Sequence, residues 1–234
     1  MKSNPKVAAI IQARTTSSRL PNKVLMELYK KPMVLRVIER TKKSKTISQI
    51  ILAIPEGREN DALAYFAREN KVECYRGSEN DVLSRYYEAA KKYQIETIVR
   101  ITADCPFIDP RIVDLVVRAH LKSKVDFTAN NLKQTFPLGL DLQVFNFKTL
   151  EKTFQDASTS FEREHVVPFM HQRPDIFTIK NVEARGKLKR PDINLSVDTK
   201  KDYARAVLIY RTFRNKPFFT KDIIKFLDQC PRLT

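Results

Sequence analysis

Apolar and polar positions along this chain follow two alternating rhythms. Residues 6–13, KVAAIIQA, form a nearly unbroken apolar run, which predicts a strand buried on both faces. Residues 32–45, PMVLRVIERTKKSK, carry apolar positions at helical spacing behind a proline suited to a first turn. The alternation continues with a strand at 49–55, a helix at 59–71, a short strand VECY at 72–75 and a helix at 79–94 opened by acids. A strand at 97–102 and a helix at 111–123 follow. Strands alternating with amphipathic helices need crossover connections, so the pattern predicts a mainly parallel sheet covered on both faces, an α/β three-layer sandwich. The second half is less regular. DFTAN and LDLQVFNF read as strands, and helices are expected at 147–156 and 160–171, the latter disturbed by Pro168. FTIKNV and INLSVD (193–198) read as strands either side of a basic turn, RGKLKR, before closing helices at 200–213 and 219–229. No repeat, low-complexity tract or linker divides the chain, so residues 1–234 are read as one domain.

Charge changes the picture more than composition does. Lys and Arg number 43 against 27 Asp and Glu, a net +16 that attracts phosphates, nucleic acid or anionic surfaces. Nucleic-acid binding is disfavoured, because no known binding motif is visible and the basic residues are spread along the chain. Cys74, Cys105 and Cys230 are odd in number and lack CxxC or zinc spacing, which predicts free thiols and a cytoplasmic location. The N-terminal apolar run is too short to span a bilayer and lacks a cleavage site, so no membrane insertion is expected. His165 and His171 are six apart, which does not match the i, i+4 spacing of a zinc helix. Cys105 has no histidine near it in sequence and reads as a buried thiol. SRYYEAAKKY reads as a packed helix face with a basic outer edge.

In open α/β sheets, ligands gather beyond the carboxyl ends of the strands. IIQARTTSSRLPNK (10–23) occupies that place after the first strand. Gly57, Gly77, Gly139 and Gly186 are the chain's glycines, and neither GxxxxGK nor GxGxxG can be assembled from them. An anion held there would therefore be held by side chains, with Arg14, Arg19 and Lys23 as donors. A solvated basic loop is the alternative. Asp104 follows the strand TIVRIT and Asp198 ends INLSV, so both could meet the basic loop at one sheet edge. Two carboxylates beside a polyphosphate suit Mg²⁺. Capping of the turn before Pro106 and of the helix near Thr199 is the alternative for each.

Six segments, in order, carry a resemblance. IIQARTTSSRLPNKVL is similar to the A-R-x-x-S-x-R-L-P-x-K signature of the sugar cytidylyltransferases that make CMP-activated acidic sugars, and most closely resembles their spore coat polysaccharide branch. The likeness continues through RGSENDVLSRYYEAA, VRITADCPFIDP, LGLDLQVF, EREHVVPFM and LSVDTKKDYARA. It implies a nucleotide-diphospho-sugar transferase fold, related to the A-type glycosyltransferase core, and coupling of CTP to a sugar with release of pyrophosphate. By motif position, Arg14, Ser18, Arg19 and Lys23 would embrace the triphosphate, with Arg14, Arg19, Lys23 and Asp104 the catalytic set. Arg76, Gly77 and Ser78 would contact the base or ribose, and Arg100 would line the nucleotide site. Asp104 and Asp198 would hold Mg²⁺. Asn130, Gly139 and Asp141 would face the sugar, with Gln143 standing where relatives often carry an acid. His165 is a candidate acceptor contact. Packing of the helix FEREHVV across the domain, with Glu162 and Glu164 solvated, is the alternative.

The implied partners are CTP and a small sugar, with a homodimer expected only by analogy. The chemistry is electrostatic: pyrophosphate leaves with new charge, and pre-placed cations and a metal stabilise it without a covalent nucleophile. A metal-dependent glycosyltransferase would share the core, but its usual D-x-D motif is absent.

Overall fold

The computed structural model describes residues 6–214 and 216–230. β1 (Val7–Gln12), β2 (Gln49–Pro55), β3 (Glu73–Gly77) and β4 (Thr97–Thr102) alternate with α1 (Met33–Thr41), α2 (Asp61–Glu69) and α3 (Val82–Lys92). After α4 (Pro110–Ser123) come β5 (Phe127–Ala129), β6 (Gln143–Asn146), α5 (Phe147–Asp156), α6 (Ser160–His165), α7 (Pro168–His171) and β7 (Ile179–Asn181). α8 (Lys200–Phe213) and α9 (Thr220–Gln229) follow. The seven strands form one sheet in the order β3-β2-β1-β4-β6-β5-β7, in which β6 runs against both its neighbours. The expected mainly parallel three-layer arrangement is present.

β1 shows why its sequence is apolar throughout. Val7, Ala9 and Ile11 join a core shared with α1, α2, α4, α8 and α9, whereas Ala8 and Ile10 join the opposite core under α3, α5 and α7. β1 pairs in parallel with β2 on one side and β4 on the other. Strand order therefore reverses at β1, and the crevice beyond its carboxyl end is the switch point where such sheets bind ligands.

Two elements differ from the sequence reading. Residues 193–198 are not a strand: one bridge joins Asn194 to Leu138. Asn194 Oδ1 accepts the Ser196 N–H at 2.9 Å and its hydroxyl at 2.8 Å, a local turn that takes this segment out of the ladder. The helix expected over 160–171 splits into α6 and α7, with Pro168 opening the second. Among the described residues no helix is long and apolar enough to cross a membrane, and all three cysteines are unpaired.

α4 and α9 share a cap. Buried Asp109 accepts the Arg111 N–H at 2.9 Å through Oδ1, and the Thr220 N–H and hydroxyl at 2.8 Å through Oδ2. Asp109→Ala would strand those buried donors, so we expect a loss of about 2–4 kcal/mol, read as a lower urea midpoint at unchanged slope.

Candidate active site

The loop behind β1 is pinned before it reaches the crevice. The Thr15 N–H donates to Asn60 Oδ1 and its hydroxyl to the Glu59 carbonyl, both at 3.2 Å, while its own carbonyl accepts the N–H groups of Ser17 and Asn22 at 2.9 Å. Asn22 sits at φ +56°, a left-handed conformation asparagine tolerates, and turns the chain into a short 3₁₀ turn beginning with Lys23. The buried Lys23 Nζ then donates to Asp104 Oδ2 at 2.8 Å, Asp198 Oδ1 at 3.0 Å and the Val197 carbonyl at 3.0 Å. Arg19 Nη2 reaches the same Asp198 oxygen at 2.8 Å. The Val197 N–H donates to the Asp104 carbonyl at 2.9 Å, which stitches the two aspartate loops together.

Neither aspartate serves as a helix cap. α8 is capped by Thr199, in a reciprocal box with Asp202, and α4 by Asp109. Burial works against ionisation of Asp104, but Lys23 and the Thr102 hydroxyl outweigh it and hold the carboxyl below its ordinary range. Burial likewise opposes the charge on Lys23, and Asp104 and Asp198 more than restore it, raising the ammonium above its usual value. At neutral pH the centre is a charged cluster. Each carboxylate keeps one oxygen clear of Lys23: Asp104 Oδ1 meets Cys105 Sγ at 3.7 Å, and Asp198 Oδ2 meets Ser196 Oγ at 3.4 Å, both weak contacts. Among the described residues no group of three or more metal-binding side chains exists. The pair nevertheless fits a magnesium ion, which takes one or two carboxylates and completes its shell with water and phosphate.

These groups floor a cleft of about 220 Å³ whose walls include Arg14, Ser17, Ser18, Arg85, Arg100, Glu164 and His165. Burial pushes the Cys105 thiol well above its ordinary pKa, which disfavours the reactive thiolate. Glu164 and His165 come from α6, a six-residue helix with unusual bracing. Thr159 and Glu162 form a capping box at its start, Arg173 pairs with Glu162 at 2.7 Å, and Arg163 Nε reaches Asp81 at 3.0 Å. Immediately after it, Val166 lies at φ +70°, ψ −52°, and the Val167 N–H donates to the His165 carbonyl at 2.8 Å. This is a strained γ-turn at a buried β-branched residue, a conformation that persists only where surrounding contacts enforce it. Glu162 is thus buried, not solvated: burial pushes its carboxyl up, but Thr159 and Arg173 prevail and hold it below its ordinary value. Its neighbour two residues on faces the cleft.

Residues 8–224 match the sequence profile of a family described as cytidylyltransferase. The chain belongs to the cytidylyltransferase family. A solved cytidylyltransferase of Leptospira borgpetersenii superposes with TM-score 0.93 at 32% identity, covering 98% of this chain and 97% of that one. An uncharacterised protein of Methanocaldococcus jannaschii is 37% identical over 228 residues, 97% of this chain and 93% of its own length. The spore coat polysaccharide biosynthesis protein SpsF of Bacillus subtilis is 28% identical over 228 residues, 95% of this chain and 94% of its own.

In this cytidylyltransferase several residues singled out from the sequence stand behind the cleft instead of lining it. Arg76 is committed to Asp61 at 2.6 Å and to the Gly57 carbonyl. Gly77 packs beneath Arg85, where an added Cβ would lie 3.3 Å from Arg85 Cγ, and the Ser78 carbonyl accepts from Arg85 Nη1 at 2.9 Å. Gly77 and Ser78 therefore support Arg85, while Arg76 fastens the end of β3 to α2 and the turn before it. Buried Asn130 clamps its own hairpin, donating to the Leu140 carbonyl and accepting the Leu142 N–H, both at 2.9 Å. Gly139, at φ +85°, abuts the backbone of Ser196. Asp141 is half-buried, and burial raises its carboxyl despite a bond from Gln134 at 3.3 Å. Gln143 accepts from Arg100 Nη1 at 2.9 Å and so orients a cleft residue from behind. Arg85 and Glu164 were not singled out by the sequence. The available signal for Arg85 was a charge on the same stripe as Val82, Tyr86 and Ala89, all buried on α3.

Proposed function

We propose that this cytidylyltransferase transfers the CMP group of CTP to a sugar hydroxyl, giving a CMP-sugar for surface polysaccharide assembly in the cytoplasm, where CTP is made. The observation that carries this reading is the Lys23 ammonium held between Asp104 and Asp198 with Arg19 alongside. The sugar oxygen bonds to the α-phosphorus, the bond to the bridging oxygen of pyrophosphate breaks, and the hydroxyl proton passes to solvent water. Arg14, Ser18 and Arg19 grip the triphosphate from the loop, and Lys23 shifts from its carboxylates toward the phosphates. Asp104 and Asp198 would hold Mg²⁺, which supplies charge neutralisation at the transferring phosphate. Glu164 and His165 stand at the open wall where an acceptor can approach. The family resemblance and the polysaccharide role in SpsF's name support a sugar acceptor, carboxylated or neutral.

Incubation with CTP, Mg²⁺ and a panel of sugars is expected to release pyrophosphate with at least one acceptor. Arg19→Ala should lower that rate about 100-fold, the scale of one lost transition-state donor. Consumption of a ready-made nucleotide sugar with CTP inert would instead select a glycosyltransferase.

A further inference from the structure

Arg85 carries a buried charge that no acid answers. α3 turns it inward with Val82, Tyr86 and Ala89, and only 2% of the residue is exposed. Its stem lies over Gly77, whose missing Cβ leaves the room. Nη1 donates to the Ser78 carbonyl at 2.9 Å, while Nε is buried without an acceptor. Among the described residues no carboxylate lies within ion-pairing distance of it, in contrast to Arg163 on Asp81 or Arg173 on Glu162. Burial lowers its pKa against the opposing influence of Tyr86, and the like charge of Arg14 adds to the lowering while Glu79 opposes it.

A guanidinium tying down one carbonyl needs no net charge, and an unpaired buried charge costs several kcal/mol. Arg40 is also buried without a carboxylate, but two carbonyls hold it and it stacks on Phe218, whereas Arg85 has one carbonyl and lines the cleft, where a ligand can supply the counter-charge. Arg100 repeats the pattern on β4: it also lines the cleft, its partner Gln143 is neutral, and its Nε is likewise buried and unpartnered. The cleft is therefore polarised. At one end Asp104 and Asp198 are balanced by Lys23 and Arg19; at the other, Arg14, Arg85 and Arg100 form no ion pairs among the described residues.

We propose that Arg85, with Arg14 beside it, binds a phosphate of the nucleotide, its planar fork taking two phosphate oxygens where the protein leaves its charge unpaired. This rests on the reading that the cleft takes CTP.

Titration calorimetry with CTP, CMP, cytidine and inorganic tripolyphosphate tests it on the wild type, Arg85→Met and Arg85→Lys. Arg85→Met is expected to weaken CTP and tripolyphosphate about 10- to 100-fold, the range for a lost charged hydrogen bond, and to leave cytidine unchanged. Arg85→Lys, which keeps the charge without the fork, should fall between. The thermal midpoint of unliganded Arg85→Met should equal or exceed that of the wild type, because an uncompensated buried charge has gone. A purely structural arginine would give the reverse, a lower midpoint with CTP affinity intact, and would overturn the proposal. Equal losses for cytidine and CTP would also overturn it, by placing Arg85 on the base. Absence of CTP binding to the wild type would instead reject the cytidylyltransferase reading of the cleft.

Discussion

Asp104→Ala is expected to lower CTP-dependent turnover by more than about a thousandfold while leaving a folded protein. Asp104 anchors Lys23 at 2.8 Å and is one of the two carboxylates proposed to hold a metal, so its loss would act on both at once. The fold survives because Lys23 keeps Asp198 and the Val197 carbonyl, each at 3.0 Å. The unpaired share of the ammonium should cost about 1–3 kcal/mol, less than a fully broken buried pair. Pyrophosphate release and a urea titration on the same sample separate the two effects. Turnover within tenfold of the wild type would remove Asp104 from the centre.

Gly139→Ala should have the largest effect on stability, a loss of about 3–5 kcal/mol. At φ +85°, an alanine Cβ would stand 2.3 Å from the Ser196 nitrogen and 2.6 Å from the Leu195 carbonyl carbon. Those neighbours are backbone and cannot rotate away. The Leu138 N–H donates to Ile193 at 2.9 Å and the Leu195 N–H to Leu138 at 2.7 Å, so the two segments are locked together beside the clash. Any relief must push Ser196, and with it Asp198 two residues on, away from Lys23. Gly186→Ala is the control: it also has positive φ, at +56°, but nothing lies within 4 Å, and about 1–2 kcal/mol is expected. Thermal melts of both variants check the contrast; equal midpoints would show that the close approach at Gly139 is relieved at no cost.

The parts of the fold that could be read from the sequence are those where burial writes a period. β1, β2 and β4 are buried on both faces and α1 and α4 on one, and each lies within a few residues of its expected place. INLSVD has the alternation of a strand, but Asn194 spends its carboxamide on its own turn, a local choice that alternation does not encode. Asp104 is legible because it follows β4, whereas Asp198 reaches the same edge from a turn and not from the strand its sequence suggests; the contacts of Lys23 to both carboxylates depend on the folded loop. Gly139 and Asn130 look chemical in a motif, yet Gly139 serves backbone approach to a segment some sixty residues away, and Asn130 clamps its own hairpin to Leu140 and Leu142. Arg85 was hidden for the opposite reason, since an arginine on an amphipathic helix ordinarily marks the solvent side.

The placement of Lys23 also bears on the cleft at rest. Two carboxylates brought this close would repel one another and favour an open, displaced arrangement unless something stood between them. The ammonium does so, and on the proposed function it holds the place of the cation that would accompany the nucleotide. On that reading, capture of a nucleotide is an exchange of partners among charges already in position, and little of the surrounding frame would have to move when the cleft fills or empties.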